Sequence, residues 1–326
     1  MEQGAGIGRA QWLEERRRGI GGTDVSGILG VSPWASPYDV WLQKVGRAPR
    51  SVTTGPMWWG LALEDIIARG YMEKTGRKVW NPKKFIVHER YPVLIGSPDR
   101  LVLGEGRGLE IKTASAHAAR EWGEEWTDNI HPVYLLQCLH YLSITGFRCW
   151  DVATLIGGND LRFFTVRRST AVEERVTPRL LTWWAKHVEG NLPPPITGHK
   201  GTTSNLGRMY PNGNGVRLVA DGRAERWAAM LSAARRKLKD AEAEVAEAEN
   251  NLKAIMGQDE GMDGLNWKVS WKNSAGRSSV DYKTALFEVA DKIGVDPALV
   301  AETIRAHTTV GEPPRVFRYS EKEGTE

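Results

Sequence analysis

Asp99, Glu110 and Lys112 are the residues whose types and spacing can do chemistry. Asp99 follows a Ser-Pro pair in IGSPDRLVL, and Glu110 and Lys112 flank Ile111 in the following GLEIKTAS. Leu101, Val102, Leu103, Leu109 and Ile111 around them read as core. Charges set among apolar neighbours are costly unless they are paired or bind a metal. Glu110 and Lys112 are two apart on a strand, so they point to one face. A hairpin of this length brings Asp99 beside Glu110. Two adjacent carboxylates repel and rise in pKa unless a cation compensates. A hard divalent ion such as Mg²⁺ does so with oxygen ligands, and the main-chain carbonyl of Ile111 is a natural third donor. Lys112 can then orient a water, help deprotonate it, or hold a phosphate oxygen. Together these groups could perform metal-assisted phosphodiester hydrolysis. The spacing alone also describes an ordinary solvated Glu–Lys pair on an exposed strand.

The neighbouring segments must position these residues. RAQWLEERRR reads as a short polar-faced helix over 9–18. Thr23 or Asp24 can cap a helix over 25–29, stopped by Ser32-Pro33. Ser36-Pro37 opens another helix, closed by Gly46. Leu61, Leu63, Ile66, Ile67 and Tyr71 fall near helical period, with Gly76 as C-cap. The period then changes to strands in KFIVHE and VLIGSPDRLVL, with a glycine-rich turn over 104–108 before the returning strand. VYLLQCLHYLSIT predicts a helix closed by Gly146, CWDVATLI and LRFFTVRR a strand pair, and EERVTPRLLTWWAKHVE a further helix. This order predicts one mixed α/β domain over 1–190. Residues 191–215 read as a Pro/Gly-rich linker. Residues 216–326 read as a long helical arm and a small α+β region, with a strand pair around NWKVSWKN and RSSVDYK and helices having Pro297 at N1. Trp227, Leu231, Ala234, Leu238, Ala241, Val245, Ala248, Leu252 and Ile255 step by heptads along a helix over 221–256 of about 50 Å. Such a seam fits packing within the chain or contact with a second copy.

Composition narrows the classes without choosing among them. The 326 residues are 41% hydrophobic and 26% charged, as a globular protein requires. A net charge of +4 permits a polyanionic partner but does not establish one. Fourteen tryptophans can stack on bases, though packing is the default role of each. Cys138 and Cys149 are too few for a disulfide framework or a four-cysteine metal site, and read as buried thiols in a reducing compartment. The N-terminal segment lacks an apolar signal core, and no apolar run of about 20 residues exists, so a cytoplasmic location without membrane insertion is expected. There is no H-E-x-x-H zinc motif and no P-loop, and GEGRG is too short for a dinucleotide fingerprint.

SPD followed by LEIKT resembles the PD-(D/E)XK nuclease motif. The resemblance continues through RRGIGGTDVSGILGVSPWASPYDVWLQKVGR, GLALEDIIARGYMEKTG, IGSPDRLV, GLEIKTAS and VYLLQCLHYLSITG. In this order, over about residues 9–168, they resemble the YqaJ family of phage-type recombination exonucleases, relatives of lambda exonuclease. The resemblance implies a restriction-endonuclease-like α/β core with a central mixed β-sheet flanked by helices. It implies that Asp99 and Glu110 bind metal with the Ile111 carbonyl, that Lys112 is the catalytic lysine, and that Glu64 completes the metal site. Gln137 matches a glutamine that orients active-site groups. Tyr134, Gln137 and Tyr141 share a helix face, where core filling is the alternative. Arg18 matches an arginine that binds the DNA 5′-phosphate, a role suited to a guanidinium, with Thr23 and Ser97 assisting and Tyr141 in the same set. Arg16 and Arg17 read as solvated. Relatives often carry Gly where Arg100 stands, so the approach of DNA here can differ.

The expected activity is a Mg²⁺-dependent 5′-to-3′ exonuclease on linear double-stranded DNA, with Mn²⁺ substituting. It would leave 3′ single-stranded overhangs for a single-strand annealing recombinase partner. A homo-oligomer, conceivably a ring, would explain processivity, and the setting would be a bacterial host cell if the gene is phage-borne. An endonuclease or nick-processing nuclease with the same core is one alternative. A catalytically inactive DNA-binding or assembly protein is the other.

Overall fold

The computed structural model describes residues 9–49, 53–273 and 281–308. Met1–Pro211 and Asn212–Glu326 form two compact units.

The first unit opens with helices α1 (Arg9–Arg17), α2 (Gly22–Ile28), α3 (Pro37–Lys44) and α4 (Gly55–Thr75). Ser36 caps α3 as expected, with its side chain accepting from Asp39 N, and Pro37 takes the first turn. Gly76 ends α4 at φ 72°, the left-handed conformation that glycine adopts without strain. The cap of α2 differs from expectation. Gly21 is the N-cap, and Asp24 reaches back from the third helical position to accept the Gly21 N–H at 2.7 Å.

A five-stranded sheet carries the core in the order β1 (Val79–Trp80), β4 (Arg100–Val102), β5 (Arg107–Ala114), β6 (Cys149–Ile156) and β7 (Asp160–Arg167). β2 (Ile86–Val87) and β3 (Ile95–Gly96) form a separate ladder. All pairings in the main sheet are antiparallel except β5 with β6. A parallel pair needs a crossover, and helix α5 (Pro132–Thr145) supplies it. The mixed sheet flanked by helices meets the expected fold class. The apolar run before Asp99 is not one strand: it breaks at Ser97–Asp99, so β3 pairs with β2 and β4 with β5.

Alternation along β5 sorts its side chains. Leu109 and Ile111 pack with Ile67, Ala68 and Tyr71 of α4, and with Ala153 and Phe163. The opposite face meets α5, where Cys138, Tyr141 and Leu142 pack with Trp150, Val152 and Phe164. Gly108 lies on that second face because a Cβ there would come 2.3 Å from the Trp150 ring. Leu101, Val102, Leu109 and Ile111 are buried as expected, but Leu103 is 62% exposed, because β4 ends at Val102 and the turn begins there. Both cysteines are free, Cys138 buried and Cys149 half-buried.

α6 (Thr170–Trp183) runs into a π-helical turn at Trp184–Glu189. Residues 191–215, expected as linker, contain helix α7 (Lys200–Met209). The Thr202 hydroxyl and Asn205 amide of α7 hydrogen-bond the buried Asp39 carboxylate, which gives this short polar helix a docking point that composition does not reveal.

The second unit holds α8 (Gly222–Met256), capped by Asp221, which makes the predicted long helix. Trp227, Leu238, Val245 and Ile255 of its heptad seam are exposed. β8 (Gly261–Asp263) pairs with β9 (Lys268–Ser270), so NWKVSWKN finds its partner upstream. The expected RSSVDYK strand falls mostly outside the described residues, and Tyr282 begins helix α9 (Tyr282–Lys292). α10 (Pro297–Ala306) has Pro297 at its start, as predicted. Among the described residues, no helix is long and apolar enough to cross a membrane.

Candidate active site

The β4–β5 register sets the site. Arg100 pairs with Leu109 and Leu101 with Gly108, so Asp99, just before β4, lies at the end of that ladder beside Glu110 and Ile111. Asp99 Oδ2 accepts the Ile111 N–H at 2.7 Å. The N–H and C=O of one strand residue leave the same edge, so the Ile111 carbonyl also faces the Asp99 side. Glu110 is 2% exposed, and Oε1 accepts from Lys112 Nζ and from Gln137 Nε2, the latter at 2.6 Å. Gln137 also donates to the Tyr141 hydroxyl at 3.1 Å. The Gln137 amide thus spans Glu110 and Tyr141. Tyr134 lies on the same helix face, with Lys112 Nζ 5.2 Å from its ring centroid.

The charges do not balance locally. Burial and the Asp99 charge push Glu110 up to about 8, against the pull of Lys112. Asp99 is raised by burial, although Lys112, the Ile111 N–H and Arg100 oppose that rise. Burial pulls Lys112 down, but Glu110 and Asp99 outweigh it and raise the lysine overall. Lys112 thus stays an ammonium ion, and without a cation the repulsion between the carboxylates favours a proton on Glu110. Glu110 Oε2 is buried without a hydrogen-bond partner. A bare buried carboxylate oxygen beside a second carboxylate and a strand carbonyl suits a hard divalent cation.

Glu64, expected to complete the metal site, has Arg100 as its partner. It sits on α4, and Arg100 holds it: NH1 binds Glu64 Oε1 and donates to the Asp99 carbonyl at 2.5 Å, while NH2 binds Asp65 at 2.5 Å. Alternation turns Arg100 to the α4 face, away from Glu110. Burial and Asp99 raise Glu64, while Arg100 opposes them. Among the described residues, no three His, Cys, Asp or Glu side chains converge into a formed metal cluster. Asp99, Glu110 and the Ile111 carbonyl stand together, and Glu64, paired with Arg100, is close enough to feel the Asp99 charge and to raise Glu110.

The residues expected around the 5′-phosphate come from the α1–α2 turn, the bend before β4 and α5. Arg18 is exposed, whereas Arg16 is the arginine at Thr23, donating to its hydroxyl at 2.6 Å and pairing with Asp24 at 3.3 Å. Arg16 is thus not simply solvated, because the α1–α2 turn folds its side chain onto α2. Arg17 is exposed and pairs with Glu14. Thr23 is exposed beside Gly22, where a Cβ would lie 2.9 Å from Gln137 and Tyr141. Ser97 is half-buried, and its carbonyl accepts from the Tyr141 hydroxyl at 3.3 Å. Tyr141 is 4% exposed, with its hydroxyl shared between Ser97 and Gln137.

Two further buried carboxylates organise the surroundings. Asp24 is held by Lys44 as well as Arg16, and Lys44 also donates to the Arg16 carbonyl at 3.0 Å, which fixes the α1–α2 turn. Asp151 on β6 is fully buried and gathers Tyr71 at 2.6 Å, Thr165 at 2.8 Å and Arg107, which locks α4 to the sheet.

Residues 11–148 match the YqaJ-like viral recombinase domain. The uncharacterized protein YqaJ of Bacillus subtilis strain 168 is 32% identical over 273 residues, spanning 82% of this chain and 84% of that one. Among solved structures, an alkaline exonuclease from Laribacter hongkongensis aligns with TM-score 0.45 and 15% identity over 56% of this chain and 93% of its own. A phage related exonuclease from Haemophilus somnus 129PT aligns at TM-score 0.44 and 8% identity, over 56% of this chain and all of its own. The likeness to YqaJ extends over most of both chains, and the domain match spans every element from α1 to α5 that builds the site; the chain belongs to the YqaJ-like viral recombinase domain family.

Proposed function

We propose that this protein is a divalent-metal-dependent exonuclease acting 5′ to 3′ on linear double-stranded DNA. It leaves 3′ single strands for an annealing recombinase, in the manner of phage-type homologous recombination. The observation that carries this reading is the Asp99–Glu110–Lys112–Gln137 constellation, with Glu110 Oε2 buried and bare. Asp99, Glu110 and the Ile111 carbonyl would hold Mg²⁺ or Mn²⁺. Such an ion supplies charge stabilisation to a phosphoryl group and a more acidic water.

The chain's own groups do the rest. Lys112 stands on the solvent side of Glu110, 20% exposed, where its ammonium can neutralise a scissile phosphate oxygen and orient the water. Gln137 fixes the Glu110 carboxylate from behind, and Tyr141 fixes Gln137. Arg16 with Thr23 joins Arg18 as a group to take a terminal phosphate, because Thr23 adjoins Gly22, which packs on Gln137 and Tyr141. A guanidinium and a hydroxyl offer convergent donors to phosphate oxygens. The test is a 5′-phosphorylated linear duplex and a covalently closed circle, each incubated with Mg²⁺ and with chelator. Metal-dependent nucleotide release from the linear form alone is expected. Cleavage of the circle would mark an endonuclease.

The Arg100–Glu64 pair favours one second reading, a DNA-binding protein without turnover. In that case neither Mg²⁺ nor Mn²⁺ would bind measurably by calorimetry.

A further inference from the structure

We propose that Trp34 is a nucleobase-stacking platform that holds one base of the DNA end beside Lys112. This rests on the nuclease reading above. Trp34 is 59% exposed, yet it stands on a loop that is held rigidly. Ser32 Oγ accepts from Trp34 N at 3.1 Å and from Ala35 N at 3.2 Å. The Ser32 carbonyl contacts His199 Nε2 at 3.0 Å. At the far end of the loop, the buried Asp39 carboxylate accepts from Ser36 N at 2.8 Å, Ser36 Oγ at 2.8 Å, Thr202 Oγ1 at 2.9 Å and Asn205 Nδ2 at 2.9 Å. A fully satisfied buried network specifies one loop conformation. One side of the ring packs on Tyr134 and His131, yet more than half of its surface stays open to solvent.

The inner side of the ring leads to the site. Trp34 lies 6.3 Å from the Tyr134 ring with planes 29° apart, and 5.8 Å from His131. Tyr134 stacks in turn on Trp122 at 5.6 Å and 16°. Lys112 Nζ is 5.2 Å from the Tyr134 centroid. A base laid on the open face of Trp34 would extend a stack whose next ring touches the lysine that faces the scissile phosphate. Every base has a π-face, so such a platform positions a strand without reading its sequence, as a nuclease of linear DNA requires.

The experiment measures binding by fluorescence anisotropy in chelator, where no turnover occurs. The probe is a labelled 5′-phosphorylated duplex with a short frayed 5′ end, and it is repeated with an abasic site at each of its end nucleotides in turn. Trp34→Ala should weaken binding to intact DNA by about 5- to 100-fold, the range for one stacked base. Trp34→Phe should keep most of the affinity. One abasic position should weaken the wild type by a similar factor, and Trp34→Ala should lose nothing further there. Unchanged binding by Trp34→Ala overturns the proposal, as does a penalty that adds to the abasic penalty at every position. Failure of the nuclease reading would show separately, as absent nucleotide release with Mg²⁺.

Discussion

Replacing Arg100 with alanine separates the two roles open to Glu64. In the wild type the guanidinium, whose side chain is 8% exposed, binds Glu64, Asp65 and the Asp99 carbonyl. The Asp65 leg adds at most about 1 kcal/mol, because that carboxylate is 89% exposed and screened. The Glu64 leg is a partly buried charged hydrogen bond worth about 1.5–3 kcal/mol. Arg100→Ala should therefore cost the metal-free protein about 2–4 kcal/mol. For a unit of this size each kcal/mol lowers Tm by about 2–4 °C, so a fall of about 4–16 °C is expected in chelator. With Mn²⁺ present, the freed Glu64 can join Asp99 and Glu110. If it recovers the same energy on the ion, the metal Kd tightens by about 10- to 100-fold. Scanning fluorimetry in chelator and across a Mn²⁺ series measures both effects, since a bound ion stabilises by RT ln(1 + [L]/Kd). The Tm deficit of the variant should shrink as Mn²⁺ rises. An equal deficit with and without metal would refute a role for Glu64 at the ion and leave it a structural partner of Arg100.

Two other perturbations test the framework. Gly22→Ala should lower stability by about 1–3 kcal/mol, because a Cβ would sit 2.9 Å from the Tyr141 ring, which is buried and cannot yield. The same clash pushes on Gln137, so kcat should fall while KM holds; an unchanged kcat would detach Gln137 from Glu110 function. Asp24 gives a stability loss in acid. Burial raises its carboxyl, but Lys44, Arg16 and the Gly21 N–H outweigh burial and hold it at about 2, against an ordinary 3.8. Lys44 points the other way, pushed down by burial against the pull of Asp24. In acid Lys44 is charged in either state, so the carboxyl governs. A depressed folded pKa contributes above the unfolded value and is lost as pH falls through the folded one, here about 2 kcal/mol disappearing between about pH 4 and 2. Urea unfolding of the wild type and Asp24→Asn at pH 7 and pH 3 checks it. A gap between the two that stays the same at both pH values contradicts the assignment.

The hairpin chemistry is legible in the chain because strand alternation and a Gly-rich turn leave few registers, and only one sets Asp99 against Glu110. The helices around it are legible through their periods and caps, as with Ser36, Gly76 and Gly146. Gln137 could be found from its helix face. What the sequence hides depends on contacts between distant segments. Arg16 and Arg18 differ only in how the turn before α2 folds, and Lys44, which fixes that turn, lies far along the chain. Arg100 reads as a departure beside the motif, but its hold on Glu64 needs the packing of α4 across the sheet. α7 has the composition of a linker and becomes a helix against Asp39, a residue that reads simply as part of α3. Leu103 looks like core because three apolar residues run together, while the strand stops one residue short of it.

The most direct test concerns Lys112. Its ammonium binds Glu110 while its side chain keeps 20% of its surface open to solvent, and the proposed function has it meet the phosphate. Nucleotide release from 5′-phosphorylated linear duplex should be compared for the wild type and Lys112→Ala at saturating Mg²⁺, with DNA binding and Tm as controls. A rate lower by about 10²- to 10⁴-fold is expected, with DNA binding retained. Full activity in Lys112→Ala would contradict the assigned site.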